Sequence, residues 1–320
     1  MSLYVRTPLK SLTRINERCG KNFQVKLECC QPDGSFKIRG ISRFCEEQRA
    51  KGAKRLVCPS GGNAGHAVAY CARELGMEST IVIPGSTSDY MAGVIRREGA
   101  QVVKCGRIYD DAQQRAMEIV ESDPEAVFVH PFDHPLLWAG HSTLVDELVE
   151  QTDKPDAIVL SVGGGGLLNG VIQGMDRHGW GDVPVIAVEV EGAPKFHKAL
   201  EAGYPVDLER IDTLAGTLAG KRVSQQSMDY AETHRIISHL VTDAQAANGV
   251  MEFVEDFRIL VELACGASMS VAYERPEIVA PYQNVIVVAC GGAGVNLPLL
   301  LEYKKNLSTM NDRGGNAAKG

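Results

Sequence analysis

Four consecutive glycines, Gly163 to Gly166, give the clearest indication of chemistry in the sequence. They follow a short apolar run and precede a segment with helical periodicity. Because glycine has no Cβ, successive backbone N–H groups can surround an oxyanion at a helix start. Leu168 stands where a dinucleotide fingerprint has its last glycine, and no Walker lysine follows. The run predicts a phosphate-binding loop. A flexible turn is the alternative, although a turn needs fewer glycines.

A second loop, Ser60 to Gly65, also joins an apolar run to a segment with helical periodicity. It places a hydroxyl, small residues and an amide side chain at the start of a helix, where backbone N–H groups are free to hold a carboxylate. An ordinary N-cap is the alternative. That alternative explains Ser60 or Asn63 but not the Gly-Gly and Ala-Gly pairs around them.

Two further side chains could carry chemistry. Lys37 lies in a short apolar segment, where burial would lower the pKa of its amine and make it a nucleophile. Cys290 directly follows an apolar run. Taken alone, such a lysine is usually a solvated surface charge and such a cysteine a core residue. Spacing alone therefore leaves both roles open.

Alternating strand-like and helix-like segments must position these residues. Short β-branched runs separated by helical periodicity predict an α/β fold of parallel sheets covered by helices on both faces. The strand-like runs are Arg55–Cys58, Thr80–Pro84, Gln101–Cys105, Val127–His130, Ala157–Val162, Val185–Val190 and Val285–Cys290. The helical segments are Asn63–Leu75, Asp89–Glu98, Asp110–Glu121, Leu136–Gln151, Leu167–His178, Asp243–Phe257 and Asn296–Lys305. Loops at the carboxyl ends of parallel strands form ligand sites, and the two glycine loops and the loop after Cys290 occupy such positions.

Composition excludes several classes of function. A net charge of −7 over 320 residues argues against nucleic-acid binding, which requires a clustered basic face. Nine cysteines without a CxxC pair indicate reduced thiols rather than a zinc site. The histidines show no metal-binding spacing. No apolar stretch resembles a signal peptide or a membrane span, so a cytoplasmic location is expected. The polar segment 308–320 is predicted to be disordered.

Four segments, in this order, resemble the signatures of the serine/threonine dehydratases among the fold-type II pyridoxal-phosphate (PLP) enzymes. The segments are Ser35-Phe-Lys-Ile-Arg-Gly40, Ser60-Gly-Gly-Asn-Ala-Gly65, Ser161-Val-Gly-Gly-Gly-Gly166 and Val288-Ala-Cys-Gly-Gly292. The sequence is most similar to the cytosolic-type L-serine dehydratase branch. This resemblance implies a two-domain, tryptophan synthase β-like fold with a large PLP-binding domain of 1–33 and 135–307 and a small domain of 34–134. It also implies a homodimer.

The resemblance assigns the cofactor contacts. It implies that Lys37 carries PLP as a Schiff base, that Phe36 flanks the ring and that Asn63 hydrogen-bonds the ring hydroxyl. The glycine loop 163–166 would hold the phosphate. Cys290 would face the pyridine nitrogen, where a neutral thiol stabilises a protonated ring less than a carboxylate does and so favours elimination over transamination.

The resemblance also assigns the substrate and metal contacts. The loop containing Ser60, Gly61, Asn63 and Ala64 would bind the substrate carboxylate. Family members commonly have alanine or serine at the position of Gly61, so glycine predicts a larger pocket over the substrate. A monovalent cation, expected to be K⁺, would be bound chiefly by carbonyl oxygens. Its implied ligands are Gly163, Glu189, Ala193, Leu218 and Gly220.

The predicted function is PLP-dependent dehydration and deamination of L-serine, and of L-threonine, to pyruvate or 2-oxobutanoate and ammonia. In this scheme Lys37 also removes the Cα proton once the substrate amine has displaced it. Alternatives on the same scaffold are another β-elimination, a β-replacement and racemisation of a related amino acid. A catalytically weak PLP-binding paralogue, acting as a metabolite sensor, is the alternative of a different class.

Overall fold

A computed structural model describes residues 2–314, with side chains described through residue 306. The strands in this range are β1 (Leu9–Ser11), β2 (Asn22–Leu27), β3 (Arg55–Cys58), β4 (Glu78–Ile83), β5 (Gln101–Lys104), β6 (Ala126–Phe128), β7 (Ala157–Ser161), β8 (Val185–Val190), β9 (Ile236–Val241) and β10 (Asn284–Ala289). The helices are α1 (Thr13–Cys19), α2 (Lys37–Ala50), α3 (Asn63–Leu75), α4 (Asp89–Arg97), α5 (Tyr109–Ser122), α6 (Pro135–His141), α7 (Thr143–Gln151), α8 (Gly166–Arg177), α9 (Lys195–Ala202), α10 (Gln225–Thr233), α11 (Asp243–Phe257), α12 (Leu263–Glu274) and α13 (Leu297–Gly314). None of these helices is both long and apolar enough to cross a bilayer.

The strands form two sheets. The larger sheet has the order β1-β2-β10-β7-β8-β9, and only β1 runs antiparallel to its neighbour. The smaller sheet, β5-β4-β3-β6, is entirely parallel. Every residue of β7 and β8 is buried, as expected of strands covered on both faces. The predicted α/β class with parallel sheets is confirmed.

Separate apolar cores pack on the two sheets. The core of the larger sheet draws on strands and helices from both ends of the chain. The core of the smaller sheet joins α2 and α3 to β3 and β4. It also includes Leu137 and Trp138 of α6, which lie beyond the predicted boundary at residue 134. The exact limits of the two predicted domains stay a prediction.

Two predicted segments differ from the structure in their secondary structure. The single helix predicted for Leu136–Gln151 is divided at Ser142, because Ser142 and Thr143 donate their hydroxyls to carbonyls of the preceding turn, Ala139 and Gly140, each at 2.8 Å. At the C-terminus, α13 continues to Gly314, so 308–314 of the predicted disordered tail are helical. Residues 315–320 lie outside the described range.

Candidate active site

A cleft of about 1990 Å³ lies where loops leave the carboxyl ends of β3, β6, β7 and β10. Because β7 and β10 are neighbours in the larger sheet, their two glycine loops meet at one edge of the cleft. The predicted cofactor and substrate residues all line it. They are Phe36, Lys37, Ser60, Gly61, Asn63, Ala64, Gly163, Gly164, Gly165, Gly166 and Cys290. The structure thus brings together residues that are far apart in sequence, while their individual roles stay predictions.

Lys37 is the first residue of α2 and projects into the cleft. Its Nζ donates a hydrogen bond to the carbonyl oxygen of Pro131 at 2.8 Å and lies 5.1 Å from the centre of the Phe36 ring. No carboxylate pairs with it among the described residues. Burial lowers the pKa of this amine to about 8. A substantial neutral fraction therefore exists near neutral pH, as a nucleophile or base requires.

Backbone contacts tie the Lys37 segment to the loop after β10. The N–H of Phe36 donates to the carbonyl of Cys290 at 3.1 Å, and the N–H of Gly292 donates to the carbonyl of Gly34 at 2.9 Å. Gly291 has a φ of 92°, and a Cβ there would overlap the Gly34 carbonyl. Only glycine allows this close approach. These contacts hold the segment that carries Lys37 against the loop that carries Cys290.

A buried ion network anchors α2 two residues after Lys37. The Arg39 guanidinium donates to both carboxylate oxygens of Glu28, at 2.6 and 2.8 Å, and to those of Glu147, at 2.7 and 2.9 Å. Lys26 donates to Glu147 at 2.5 Å. Arg39, Glu28 and Lys26 have no exposed side-chain surface, so each charge needs its partner. The network fixes the helix that carries the amine.

The glycine loop presents unused hydrogen-bond donors to the cleft. None of the N–H groups of Gly163 to Gly166 donates to another described residue. Gly165 has a φ of 95°, and a Cβ there would overlap the Ser227 hydroxyl and lie 3.0 Å from that of Ser224. A Cβ on Gly164 would overlap the Phe132 ring. Four unpaired donors at the start of the 12-residue helix α8 fit a bound phosphate.

The loop before α3 offers a second set of donors. The N–H groups of Asn63, Ala64 and Gly65 donate to no described residue, and the Ser60 hydroxyl accepts from Gly62 N–H at 3.3 Å. These donors lie at the start of a 13-residue helix, and Asn63 and Ala64 line the same cleft as Lys37. They fit a substrate carboxylate.

Glu262, which the sequence analysis did not single out, orients the Asn63 amide across the cleft. Asn63 donates to Glu262 Oε2 at 3.1 Å and accepts from the N–H of Ala293 at 2.9 Å. Thr217 and the N–H of Gly294 donate to the same carboxylate, at 2.9 and 2.7 Å. Burial raises the pKa of Glu262 against these donors. The Asn63 amide keeps one N–H available for a ligand oxygen, as the predicted contact to the cofactor hydroxyl requires.

The space beside Gly61 is filled, contrary to the predicted enlargement of the pocket. A Cβ on Gly61 would overlap the Thr87 hydroxyl and lie 2.8 Å from its Cγ2 and 3.0 Å from its Cβ. Thr87 comes from the loop between β4 and α4 and lines the cleft. The space that a side chain at position 61 would occupy is therefore filled by Thr87 from another loop. Sequence reasoning missed Thr87 because the contact depends on tertiary structure.

The predicted cation ligands surround a lysine instead. Lys195 Nζ lies 3.2 Å from Glu189 Oε1, 3.2 Å from the Ala193 carbonyl and 2.9 Å from the Leu218 carbonyl. The Val162 carbonyl, next to Gly163, is at 3.4 Å, and a Cβ on Gly220 would lie 3.8 Å from Lys195 Cε. A monovalent cation at the centre of these oxygens would collide with the ammonium. The residues present do not fit the predicted K⁺. Among the described residues no group of three or more His, Cys, Asp or Glu side chains could hold a metal ion.

The other residues fit PLP. The unpaired glycine-loop donors match its phosphate, the Lys37 amine matches its aldehyde, and the oriented Asn63 amide matches its ring hydroxyl. Cys290 directly follows β10 and lines the same cleft. The cleft therefore has complementary groups for each part of this cofactor and additional donors for an amino-acid carboxylate.

Comparison with known proteins agrees with this chemistry. Over 318 residues the chain is 41% identical to "L-serine dehydratase/L-threonine deaminase" of Homo sapiens, with 97% of each chain covered. It is 42% identical over 314 residues to "Serine dehydratase-like" of Homo sapiens, with 95% of each covered. A fungal L-serine ammonia-lyase from Rhizomucor miehei superposes with a TM-score of 0.90 at 38% identity, covering 96% of this chain and 100% of that one. Residues 1–291 match the family described as "Pyridoxal-phosphate dependent enzyme". The chain belongs to the family of pyridoxal-phosphate dependent enzymes.

Proposed function

We propose that this protein dehydrates and deaminates L-serine, and L-threonine, to pyruvate or 2-oxobutanoate and ammonia. One observation carries the proposal: a partly buried amine, Lys37, with no carboxylate partner among the described residues, shares a cleft with two sets of free backbone donors. One set suits a phosphate and the other a carboxylate. The names of the similar proteins support the same reaction.

The residues divide the work as follows. Bound PLP supplies an electron sink for the charge that develops at Cα. Lys37 supplies the base, because a pKa of about 8 leaves roughly a tenth of the amine neutral at pH 7. The Pro131 carbonyl accepts a hydrogen bond from Nζ and so keeps the free amine in the cleft. A neutral thiol at the Cys290 position leaves the ring a weaker electron sink than a carboxylate would, which favours loss of the β-hydroxyl.

The substrate would be held by the loop before α3. The free N–H groups of Asn63 and Ala64 and the Ser60 hydroxyl line the cleft and would bind the substrate carboxylate. A carboxylate fixed here would place the substrate in the cleft that Lys37 also lines, within reach of its amine. The β-substituent then approaches Gly61 and Thr87, which together form that wall of the pocket.

The test begins with the purified protein supplied with PLP. We expect a visible absorbance band from cofactor bound to a lysine, and keto acid after L-serine or L-threonine is added. Lys37→Ala should abolish both signals. Lys51→Ala, at the exposed far end of α2, is the matched control and should retain both. Keto acid without any added thiol separates dehydration from β-replacement.

Two outcomes would reject the proposal. Formation of D-serine without keto acid, detected by chiral analysis, would identify a racemase. A normal cofactor band with no change in either amino acid would identify a catalytically weak paralogue. The homodimer and the cytoplasmic location stay predictions, and sedimentation equilibrium would test the first.

A further inference from the structure

We propose that the Lys195 ammonium is a built-in replacement for the monovalent cation, so that this protein needs no K⁺ for stability or activity. Four oxygens surround Nζ at 2.9 to 3.4 Å. Three of them come from Glu189, Ala193 and Leu218, which are positions that the family resemblance assigned to cation ligands. These oxygens are present, and the Lys195 ammonium occupies the space between them.

Charge supports the replacement. Glu189 and Lys195 both have no exposed side-chain surface. The carboxylate also accepts the N–H groups of Phe196 and His197 at the start of α9, at 3.0 and 2.8 Å. An isolated carboxylate in this place would be strongly unfavourable, so a positive charge is needed. An ammonium supplies the single charge and the donors that the surrounding carbonyls can accept.

The position of the ammonium links it to the active site. The Val162 carbonyl directly precedes the glycine loop, and Leu218 directly follows Thr217, which donates to Glu262. Ala193 lies at the entry to α9. Lys195 thereby holds three segments together beneath the predicted phosphate site. It acts as a positioning residue, since its Nζ contacts neither the predicted substrate loop nor the four glycines of the predicted phosphate loop.

The first experiment uses the wild-type protein with choline replacing K⁺ at constant ionic strength. We expect the Tm of the cofactor-free protein to be unchanged by K⁺, and kcat/KM for L-serine to vary by less than about twofold. A saturable rise in either quantity with K⁺ would overturn the proposal. The Tm does not require turnover, so this result stands even if the proposed reaction is wrong.

The second experiment converts the site. Lys195→Ser removes the ammonium and leaves the oxygens, so the variant should lose on the order of 100-fold in kcat/KM without K⁺ and recover at least about tenfold with it. K⁺ should also raise its Tm. Lys195→Met fills the space without charge and should respond to K⁺ in neither measurement.

Lys198→Ser, on the exposed side of the same helix, is the matched control. It should behave like the wild type. If Lys195→Ser folds and is active but shows no K⁺ response in rate or Tm, the oxygens do not form a cation site and the inference is wrong. If Lys195→Ser does not fold, the wild-type titration decides alone.

Discussion

Gly61→Ala should be harmful only because of Thr87. A Cβ at position 61 would lie 2.8 Å from Thr87 Cγ2 and 3.0 Å from its Cβ, while ordinary contacts begin near 3.4 Å. Relieving this overlap requires the Thr87 loop to move by roughly half an ångström or more. Overpacking of this kind costs about 1–3 kcal/mol. If the cost falls on the substrate-bound state, kcat/KM for L-serine drops by roughly 5- to 150-fold.

The double variant Gly61→Ala/Thr87→Ala tests this reasoning. Removing the Thr87 hydroxyl and methyl clears most of the overlap, so its kcat/KM should return to within about threefold of the Thr87→Ala single variant. Steady-state rates with L-serine and L-threonine measure the coupling. Ser86→Ala, one residue away and exposed, is the matched control and should not rescue Gly61→Ala. If the effects of Gly61→Ala and Thr87→Ala simply add, the two residues do not share the pocket wall and the reasoning fails.

Three further predictions follow from the site geometry. Burial lowers the pKa of Lys37 to about 8, so its amine loses its proton as the pH rises through that value. The rate at which the cofactor-free protein binds PLP should therefore rise with pH and level off above about pH 8. Stopped-flow absorbance checks this, and a plateau only near ~10.4 would indicate an unperturbed lysine. Gly165→Ala should raise the Kd for PLP, measured by fluorescence titration, at least about tenfold. Gly179 also has a positive φ but has open space where a Cβ would lie, so Gly179→Ala should leave the Kd within about twofold. Arg39→Met should lower the free energy of unfolding in urea by about 3–5 kcal/mol, because the buried Glu28 carboxylate loses its ion-pair partner. Arg6→Met, in an exposed pair, should change it by less than about 1 kcal/mol. Equal losses in the two variants would refute the anchoring role.

Local patterns predicted several elements of the fold to the residue. Arg55–Cys58, Val185–Val190 and Asn63–Leu75 have the predicted limits because β-branched runs and helical periodicity are local properties that end at clear stop signals. Helix α2 was missed, since its first turn overlaps the motif around Lys37 and contains Gly40, a poor helix former. Strand β9 was missed because each of its residues except Val241 is only partly buried.

The residues of the site also differ in whether local sequence patterns could identify them. Segments that offer free backbone donors, such as the loop from Gly163 to Gly166, could be identified from spacing. Glu262, Thr87 and Lys195 could not, because each acts on a residue distant in sequence or brought close only by folding. The resemblance grouped Glu189, Ala193 and Leu218 as cation ligands, and the structure places their oxygens around Lys195 Nζ instead. It could not show that a lysine close by in the chain would occupy them.

The pairing of β2 with β10 has a consequence for how the protein is made. Asn22 and Asn284 are register partners, so β2 cannot form this pairing until β10 has been synthesised. The smaller sheet uses only residues between Arg55 and Phe128 and can form while synthesis continues. Contacts of such long sequence separation form late and slowly. We expect the nascent chain to form the smaller sheet first, while the larger sheet is still incomplete. Such a chain can bind its cofactor only after β10 has left the ribosome.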